Sequence, residues 1–178
     1  MNETTQQTRP LRLVAVMGLP GAGKSAAAHL IAQRIDAVLL RSDVIRKEIY
    51  PVPRYTPEEG RNIYQEMFDR SATLLARGQS VVLDATFRAD RLRRQAQRIA
   101  DEAGASWWLV LVTAPEDVIR RRLATRRDDP SDADFEIYRL LRAEFESIAT
   151  PHEVIDNAGT SAQLAERGAD LHCVDPFG

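Results

Sequence analysis

Short apolar runs alternate along the chain with longer segments that have the apolar spacing of amphipathic helices. The apolar runs cover residues 11–17, 37–40, 80–83, 107–113 and 153–155, and four of them are almost continuous in Val, Leu, Ile or Trp. Such runs are typical of parallel strands that are covered on both faces. The helical segments cover residues 24–34, 44–49, 57–77, 88–103, 115–126, 134–148 and 161–168. The alternation predicts a three-layer α/β/α fold with a five-stranded, mainly parallel sheet.

Length, charge and cysteine content exclude several classes of protein. The 178 residues fit one domain, predicted over residues 11–178 after a polar tail at residues 1–10. The 24 Lys and Arg residues nearly balance 26 Asp and Glu residues, which disfavours a general attraction to nucleic acid or anionic lipid. Cys173 is the only cysteine, no apolar run is long enough to span a membrane, and the amino-terminal segment lacks an apolar core. We therefore expect a cytoplasmic protein with no membrane partner.

The first apolar run leads directly into MGLPGAGKS, residues 17–25, which matches the pattern G-x-x-x-x-G-K-[ST]. Glycines let successive backbone N–H groups point at one phosphate chain, and the helix that follows adds the positive end of its dipole. A glycine-rich turn that only caps a helix is the alternative. The pattern favours nucleotide binding by Gly18, Leu19, Pro20, Gly21, Ala22, Gly23, Lys24, Ser25 and Ala26.

Two residues of this glycine-rich loop (residues 18–25) carry chemistry. The Lys24 ammonium can reach the β and γ phosphates of a nucleotide, and the Ser25 hydroxyl can ligate Mg²⁺. A GTPase would carry N-K-x-D, which is absent, and the one D-x-x-G match, DNAG at 156–159, is interpreted as a turn. A motor ATPase would place Glu where this chain has Ala85. Both classes are therefore less favoured than a kinase.

Ligands of parallel α/β sheets bind beyond the carboxyl ends of the strands, where this chain has further charged residues. Asp43 follows the second predicted strand and Arg46 lies one helical turn later, a pair that can accept a proton from an attacking hydroxyl and hold the acceptor. The alternative is a helix cap with a surface partner. Asp84 ends the third strand and is predicted to orient Mg²⁺ or contact the acceptor; capping of the following loop is the alternative.

The segment VIRRRLATRRDDPSDAD predicts a helical lid at about residues 120–136. Arg122 and Arg126 share a helix face, so closure of the lid would bring both guanidinium groups onto a transferring phosphoryl group. A solvated basic face is the alternative. The basic helix at residues 88–98 is also interpreted as solvated, although it offers a surface for a phosphorylated or polymeric acceptor.

Four stretches, GLPGAGKS, SDVIRKE, VVLDATF and RRRLATRRDDPSDA, resemble the P-loop kinase family of polynucleotide 5′-hydroxyl kinases, zeta-toxin-like kinases and bacterial predicted kinases. The resemblance covers roughly residues 11–150 and implies a P-loop NTPase fold with ATP as the nucleotide. It implies that Asp43 activates the acceptor hydroxyl, that Arg46 holds it, and that Arg122 and Arg126 are lid arginines. Some members are fused to an aminoglycoside-phosphotransferase-like domain, which this sequence lacks, so a free-standing form is expected.

The sequence thus predicts an ATP- and Mg²⁺-dependent kinase that phosphorylates a hydroxyl of a small molecule. Lys24, Asp43, Arg46, Arg122 and Arg126 are the predicted catalytic residues, with Ser25 and Asp84 at the metal. A polynucleotide 5′-hydroxyl kinase is one alternative, although nucleic acid is less favoured by the near-neutral charge. A nucleotide-binding switch without phosphotransfer is the alternative from another class.

Overall fold

The computed structural model describes residues 10–125, 133–159 and 161–172. Within these ranges the elements follow the order β1 (Arg12–Met17), α1 (Lys24–Ile35), β2 (Val38–Arg41), α2 (Ser42–Ile49), α3 (Pro57–Ala76), β3 (Val81–Asp84), α4 (Asp90–Glu102), β4 (Ser106–Thr113), α5 (Glu116–Thr125), α6 (Phe135–Ala143), β5 (Glu153–Asp156) and α7 (Ser161–Ala169). The strands form one sheet in the order β2-β3-β1-β4-β5, and every pairing is parallel. The predicted fold class is confirmed.

After Arg12, every residue of the central strand β1 is apolar, because both faces of the strand are buried. Leu13, Ala15 and Met17 pack into the core that the sheet forms with α3 and α4. Val14 and Val16 point to the opposite face and pack with α1. Because all five side chains are fully buried, neither face of this strand has room for a polar residue.

Turn and cap residues end the helices largely where the sequence predicts. Pro57 is the first residue of α3, and Thr56 is its N-cap. The Thr56 hydroxyl accepts a hydrogen bond from the Glu59 amide at 3.1 Å. Gly78 and Gly104, just beyond α3 and α4, adopt positive φ angles of 74° and 65°.

The predicted helix at 134–148 is wrong at its end, because α6 stops at Ala143. Residues 144–148 instead form a return segment that docks on the loop after β3. The Glu146 amide donates to the carbonyl oxygen of Arg88 at 2.9 Å, and the Glu146 carboxylate accepts from the Asp90 amide at 2.6 Å. These long-range bonds replace the last turn of the predicted helix.

Arg93 connects the return segment to the loop after β3. Its guanidinium is completely buried and donates to the carbonyl oxygens of Phe87 at 2.9 Å, Arg88 at 3.2 Å and Ser147 at 2.8 Å. One buried cation thus satisfies backbone acceptors from two segments that are far apart in sequence.

The predicted lid, at about residues 120–136, includes the last residues of α5 and the first residues of α6. The Arg120 guanidinium lies over the Phe135 ring, 4.0 Å from its centroid, and thereby joins the two helices. Arg126 and most of the segment between the helices lie outside the described residues, as does most of the predicted tail, so the domain and lid boundaries stay predictions. Among the helices that the structure describes, none has the length and apolar character needed to cross a membrane.

Replacing Arg93 by Leu should destabilise the fold by about 3 kcal/mol or more, because the carbonyl groups it binds would stay buried without a donor. Urea unfolding at constant m-value measures this change. Arg94→Leu on the same helix is the matched control, since Arg94 is 72% exposed and pairs with Asp90 at the surface, a contact worth about 1 kcal/mol at most. Equal midpoints for the two variants would contradict the assigned role of Arg93.

Candidate active site

The glycine-rich loop runs from the carboxyl end of β1 to the start of α1, and two of its glycines have no substitute. Gly18 has a φ angle of 144°, and a Cβ atom there would collide with the carbonyl oxygen of Val112 in β4. Gly23 caps α1 with a φ angle of 95°, and a Cβ there would collide with the Asn157 side chain. The loop therefore requires glycine for both its backbone shape and its close packing on β4 and on the segment after β5.

Lys24 is the first residue of α1 and folds back over the loop. Its ammonium donates to the carbonyl oxygen of Leu19 at 3.2 Å. The N–H groups of the first turn of α1 lie at the positive end of the helix dipole. A flexible cation beside a glycine-rich turn and a helix amino terminus is an arrangement that binds a chain of phosphates.

Ser25, Asp84 and Arg41 form a compact polar cluster beside the loop. The Ser25 hydroxyl donates to Asp84 Oδ2 at 2.6 Å, and Arg41 donates from Nε to the same carboxylate oxygen at 3.1 Å. Arg41 also donates from Nη2 to the Ser25 hydroxyl at 2.9 Å. The parallel register places Arg41 of β2 directly beside Asp84 of β3, so the cluster follows from strand pairing.

The donor set of this cluster fits a magnesium ion that is bound together with a nucleotide. A hydroxyl and a carboxylate oxygen are hard ligands of the type that Mg²⁺ prefers. The described part of the chain has no group of three or more His, Cys, Asp or Glu side chains that could hold a metal alone. Any magnesium at Ser25 and Asp84 would therefore take its other ligands from phosphates and water.

Asp43 lies in the first turn of α2, within electrostatic reach of this cluster. Burial raises the pKa of its carboxyl above the ordinary value, the Lys24 ammonium opposes that rise, and the Asp84 carboxylate adds to it. Arg41 and Arg46 lower the pKa by smaller amounts. The structure thus brings Asp43 to the same sheet edge as the glycine-rich loop.

Arg46 lies one turn further along α2 and faces the loop that precedes α3. Its Nη1 lies 3.5 Å from Glu59 Oε2, and its guanidinium is 4.9 Å from the centre of the Tyr55 ring. The buried Glu59 carboxylate also accepts from the backbone amides of Arg54 and Tyr55, the latter at 2.7 Å. Arg46 is thereby held in place on the α2–α3 side of the site.

Arg122 packs against the glycine-rich loop. Its guanidinium lies 3.5 Å and 3.4 Å from the carbonyl oxygens of Gly21 and Ala22, and also 3.5 Å from Asn157 Oδ1. Burial, followed by the charge of Arg121, lowers the pKa of Arg122. In this conformation the side chain supports the loop backbone, while its predicted partner Arg126 lies outside the described residues.

Two residues at the site were missed by the sequence analysis. Arg41 ends β2 and Asn157 follows β5, so the rule that selected Asp43 and Asp84 also applied to them. Asn157 is buried, and its amide group donates to the carbonyl oxygen of Ala22 at 2.8 Å. The DNAG stretch, interpreted from the sequence as a turn, contains the end of β5 and bonds to the glycine-rich loop through Asn157.

An apolar cavity of about 340 Å³ opens between the glycine-rich loop, the end of β4 and the return segment. Its walls are mainly aliphatic and aromatic, and the residues of the described ranges that line it include no Lys or Arg. Phe145 and Ile148 of its wall pack on the core that contains Ile45 of α2, whereas Ala22 and Val112 of its wall belong to the core on the opposite face of the sheet. The lining includes Leu19, Leu111, Ile119, Tyr138, Phe145 and Ile148.

Comparison with known proteins assigns the chain to a family. Residues 13–148 match the AAA domain family. An uncharacterized protein of Mycobacterium tuberculosis is 31% identical over 165 residues, which cover 86% of this chain and 33% of that protein. This chain therefore spans about a third of the mycobacterial relative. A UPF0200 protein of Halobacterium salinarum is 30% identical over 135 residues, covering 71% of this chain and 70% of the relative.

Solved kinases share the fold. A sugar kinase from Janibacter superimposes with a TM-score of 0.72 at 19% identity, covering 94% of this chain and 98% of the other. The APS kinase of Mycobacterium tuberculosis, solved with AMPPNP and APS, has a TM-score of 0.68 at 17% identity over 91% and 97% of the two chains. A chain of the Pnkp1/Rnl/Hen1 RNA repair complex has a TM-score of 0.64 at 18% identity over 82% and 47%. The chain therefore belongs to the AAA domain family and has the fold of the P-loop kinases.

Proposed function

We propose that this chain is a kinase that transfers the γ-phosphoryl group of ATP to a hydroxyl of a small molecule. The observation that carries the proposal is the convergence of a phosphate-binding loop and a partly buried carboxyl at one sheet edge. Lys24 of the loop and the carboxyl of Asp43 are close enough for each charge to influence the other. A nucleotide-binding switch needs only the loop, whereas phosphotransfer to a hydroxyl also uses a base.

In this proposal residues 18–26 bind ATP, with backbone N–H groups of this segment donating to its phosphates, and Lys24 neutralises charge on the β and γ groups. Ser25 and Asp84 would hold the magnesium, which supplies further positive charge to the phosphates. Arg122 supports the loop from the side of α5, and together with Arg126 it contributes positive charge when the lid closes.

The transfer step begins when Asp43 accepts the proton of the acceptor hydroxyl. The hydroxyl oxygen forms a bond to the γ-phosphorus as the bond to the bridging oxygen of ADP breaks, and the proton passes from Asp43 to solvent. Its raised pKa makes Asp43 a stronger base than an ordinary aspartate. In this proposal Arg46, which contacts Glu59 and Tyr55, would position the acceptor.

The apolar cavity supports a small molecule as acceptor. Its volume of about 340 Å³ is at the lower end of the roughly 300–1,000 Å³ of small-molecule sites, and Gly18, Leu19 and Ala22 of the glycine-rich loop form part of its wall. Among the described residues, its lining has no Lys or Arg, which does not suit a nucleic-acid strand, because such a strand needs cations along its backbone. A polynucleotide 5′-hydroxyl kinase is the second candidate. It is favoured by three exposed arginines of α4, which are Arg91, Arg94 and Arg98.

Asp43→Asn should retain ATP binding and lower phosphate transfer by about 10²–10⁴-fold, because it removes the base without changing the loop. Isothermal titration measures ATP affinity, and labelled ATP with a panel of hydroxyl acceptors measures transfer. Asp101→Asn, which removes an exposed carboxylate at the end of α4, is the control. Transfer at the wild-type rate by Asp43→Asn would contradict the base, and ATP binding without transfer to any acceptor would favour the switch.

Asp43→Asn should also melt at a higher temperature than the wild type at pH 7. The folded-state pKa of Asp43 is raised above its unfolded value, so protonation stabilises the fold at low pH and this stabilisation is lost as pH rises through the folded pKa. The advantage of the neutral variant should therefore shrink as pH is lowered toward the ordinary aspartate pKa. Calorimetric melting of the nucleotide-free proteins at several pH values tests this, and a less stable Asn variant at pH 7 contradicts it.

Ala114→Leu should weaken acceptor binding, because Ala114 lines the cavity and the larger side chain would fill part of it. We expect the KM of a small-molecule acceptor to rise by about tenfold or more while ATP affinity is retained. Ala72→Leu on the exposed face of α3 is the control. The polynucleotide candidate would instead be supported if the protein phosphorylates a 5′-hydroxyl oligonucleotide, if this activity falls with rising salt, and if Ala114→Leu leaves the activity unchanged.

A further inference from the structure

Arg41 occupies an unusual position for a cation, because its guanidinium lies between two groups that suit a metal ion. Its Nη2 is 2.9 Å from the Ser25 hydroxyl, and its Nε is 3.1 Å from Asp84 Oδ2. Those two oxygen atoms are themselves 2.6 Å apart. Each edge of the triangle is thus a hydrogen bond of ordinary length.

Electrostatics explains why a cation belongs there. The Asp84 side chain is only 5% exposed, and a buried carboxylate without a partner is strongly unfavourable. Arg41 is 20% exposed, so it keeps contact with solvent while it pairs with Asp84. The strand register fixes the two residues side by side, so this pairing needs no rearrangement of the backbone.

A magnesium ion at Ser25 and Asp84 would compete with Arg41 for the same groups. The Ser25 oxygen accepts a hydrogen bond from Arg41. The guanidinium therefore occupies a lone pair of the oxygen that a metal ion would also bind. A divalent ion near Asp84 would also repel the guanidinium. Metal and arginine are therefore alternative partners of the same two side chains.

We propose that Arg41 is a built-in counter-ion of the magnesium position, which neutralises Asp84 in the metal-free protein and lowers metal affinity by competing for Ser25 and Asp84. The inference rests on the proposed function, because it requires a nucleotide and metal to bind beside the glycine-rich loop. Arg41 acts through Ser25 and Asp84 and is thus a positioning residue.

The test measures Mn²⁺ binding to the protein–ADP complex by electron paramagnetic resonance, a readout that does not require turnover. Arg41→Met retains much of the apolar stem but removes the charge, and we expect its Mn²⁺ Kd to fall by about tenfold relative to wild type. The metal-free variant should also melt at a lower temperature, because Asp84 loses its partner. Arg94→Met, which removes one exposed charge from α4, should change neither quantity.

Arg41→Lys is a second variant that keeps a positive charge and thus protects folding if Arg41→Met is too unstable. Lysine lacks the planar fork that binds Ser25 and Asp84 together, so its Mn²⁺ Kd should lie between those of the wild type and Arg41→Met. If the Arg41 variants melt at a lower temperature but bind Mn²⁺ with unchanged or weaker affinity, the proposal about Arg41 is overturned and the proposed function is not. Failure of the wild type to bind ADP with Mn²⁺ would overturn the proposed function and this proposal together.

Discussion

The parallel pairing of β3 with β1 and β2 is the constraint on which the rest of the site depends. It brings the carboxyl ends of three strands side by side, so that Val16 and Arg41 flank Asp84. The glycine-rich loop leaves β1 at this edge, and α2 leaves β2 there. If β3 shifted by one residue relative to β1 and β2, Asp84 would turn to the opposite face of the sheet and separate from Ser25.

The same edge concentrates charge in a partly dry environment, and the charges there depend on one another. Asp84 is paired with Arg41 and Ser25, whereas the pKa of Asp43 is raised because burial outweighs the attraction of Lys24. A raised pKa of an acidic group next to an anion-binding loop is typical of functional sites. It also implies that the site is held together at some cost in stability, which the buried core on both faces of β1 offsets.

Local patterns in the sequence were sufficient to predict the sheet, the glycine-rich loop and the positions of Asp43 and Asp84. They were insufficient wherever distant segments meet. The predicted helix at 134–148 ends early because residues 144–148 bond to the loop after β3, and those bonds have no local signal. The contacts of Asn157 and Arg122 with the glycine-rich loop join segments about 100 or more residues apart, so only the folded chain shows them.

The central claim is that a bound triphosphate directs its terminal phosphoryl group toward Asp43. A crystal structure with magnesium and AMPPNP tests this claim most directly. The account predicts that backbone N–H groups of the glycine-rich loop contact the phosphates and that the γ-phosphorus lies on the Asp43 side, with space for one hydroxyl between them. A γ-phosphoryl group turned toward Asn157 and away from Asp43, or no density for the analogue at the loop, would contradict the account.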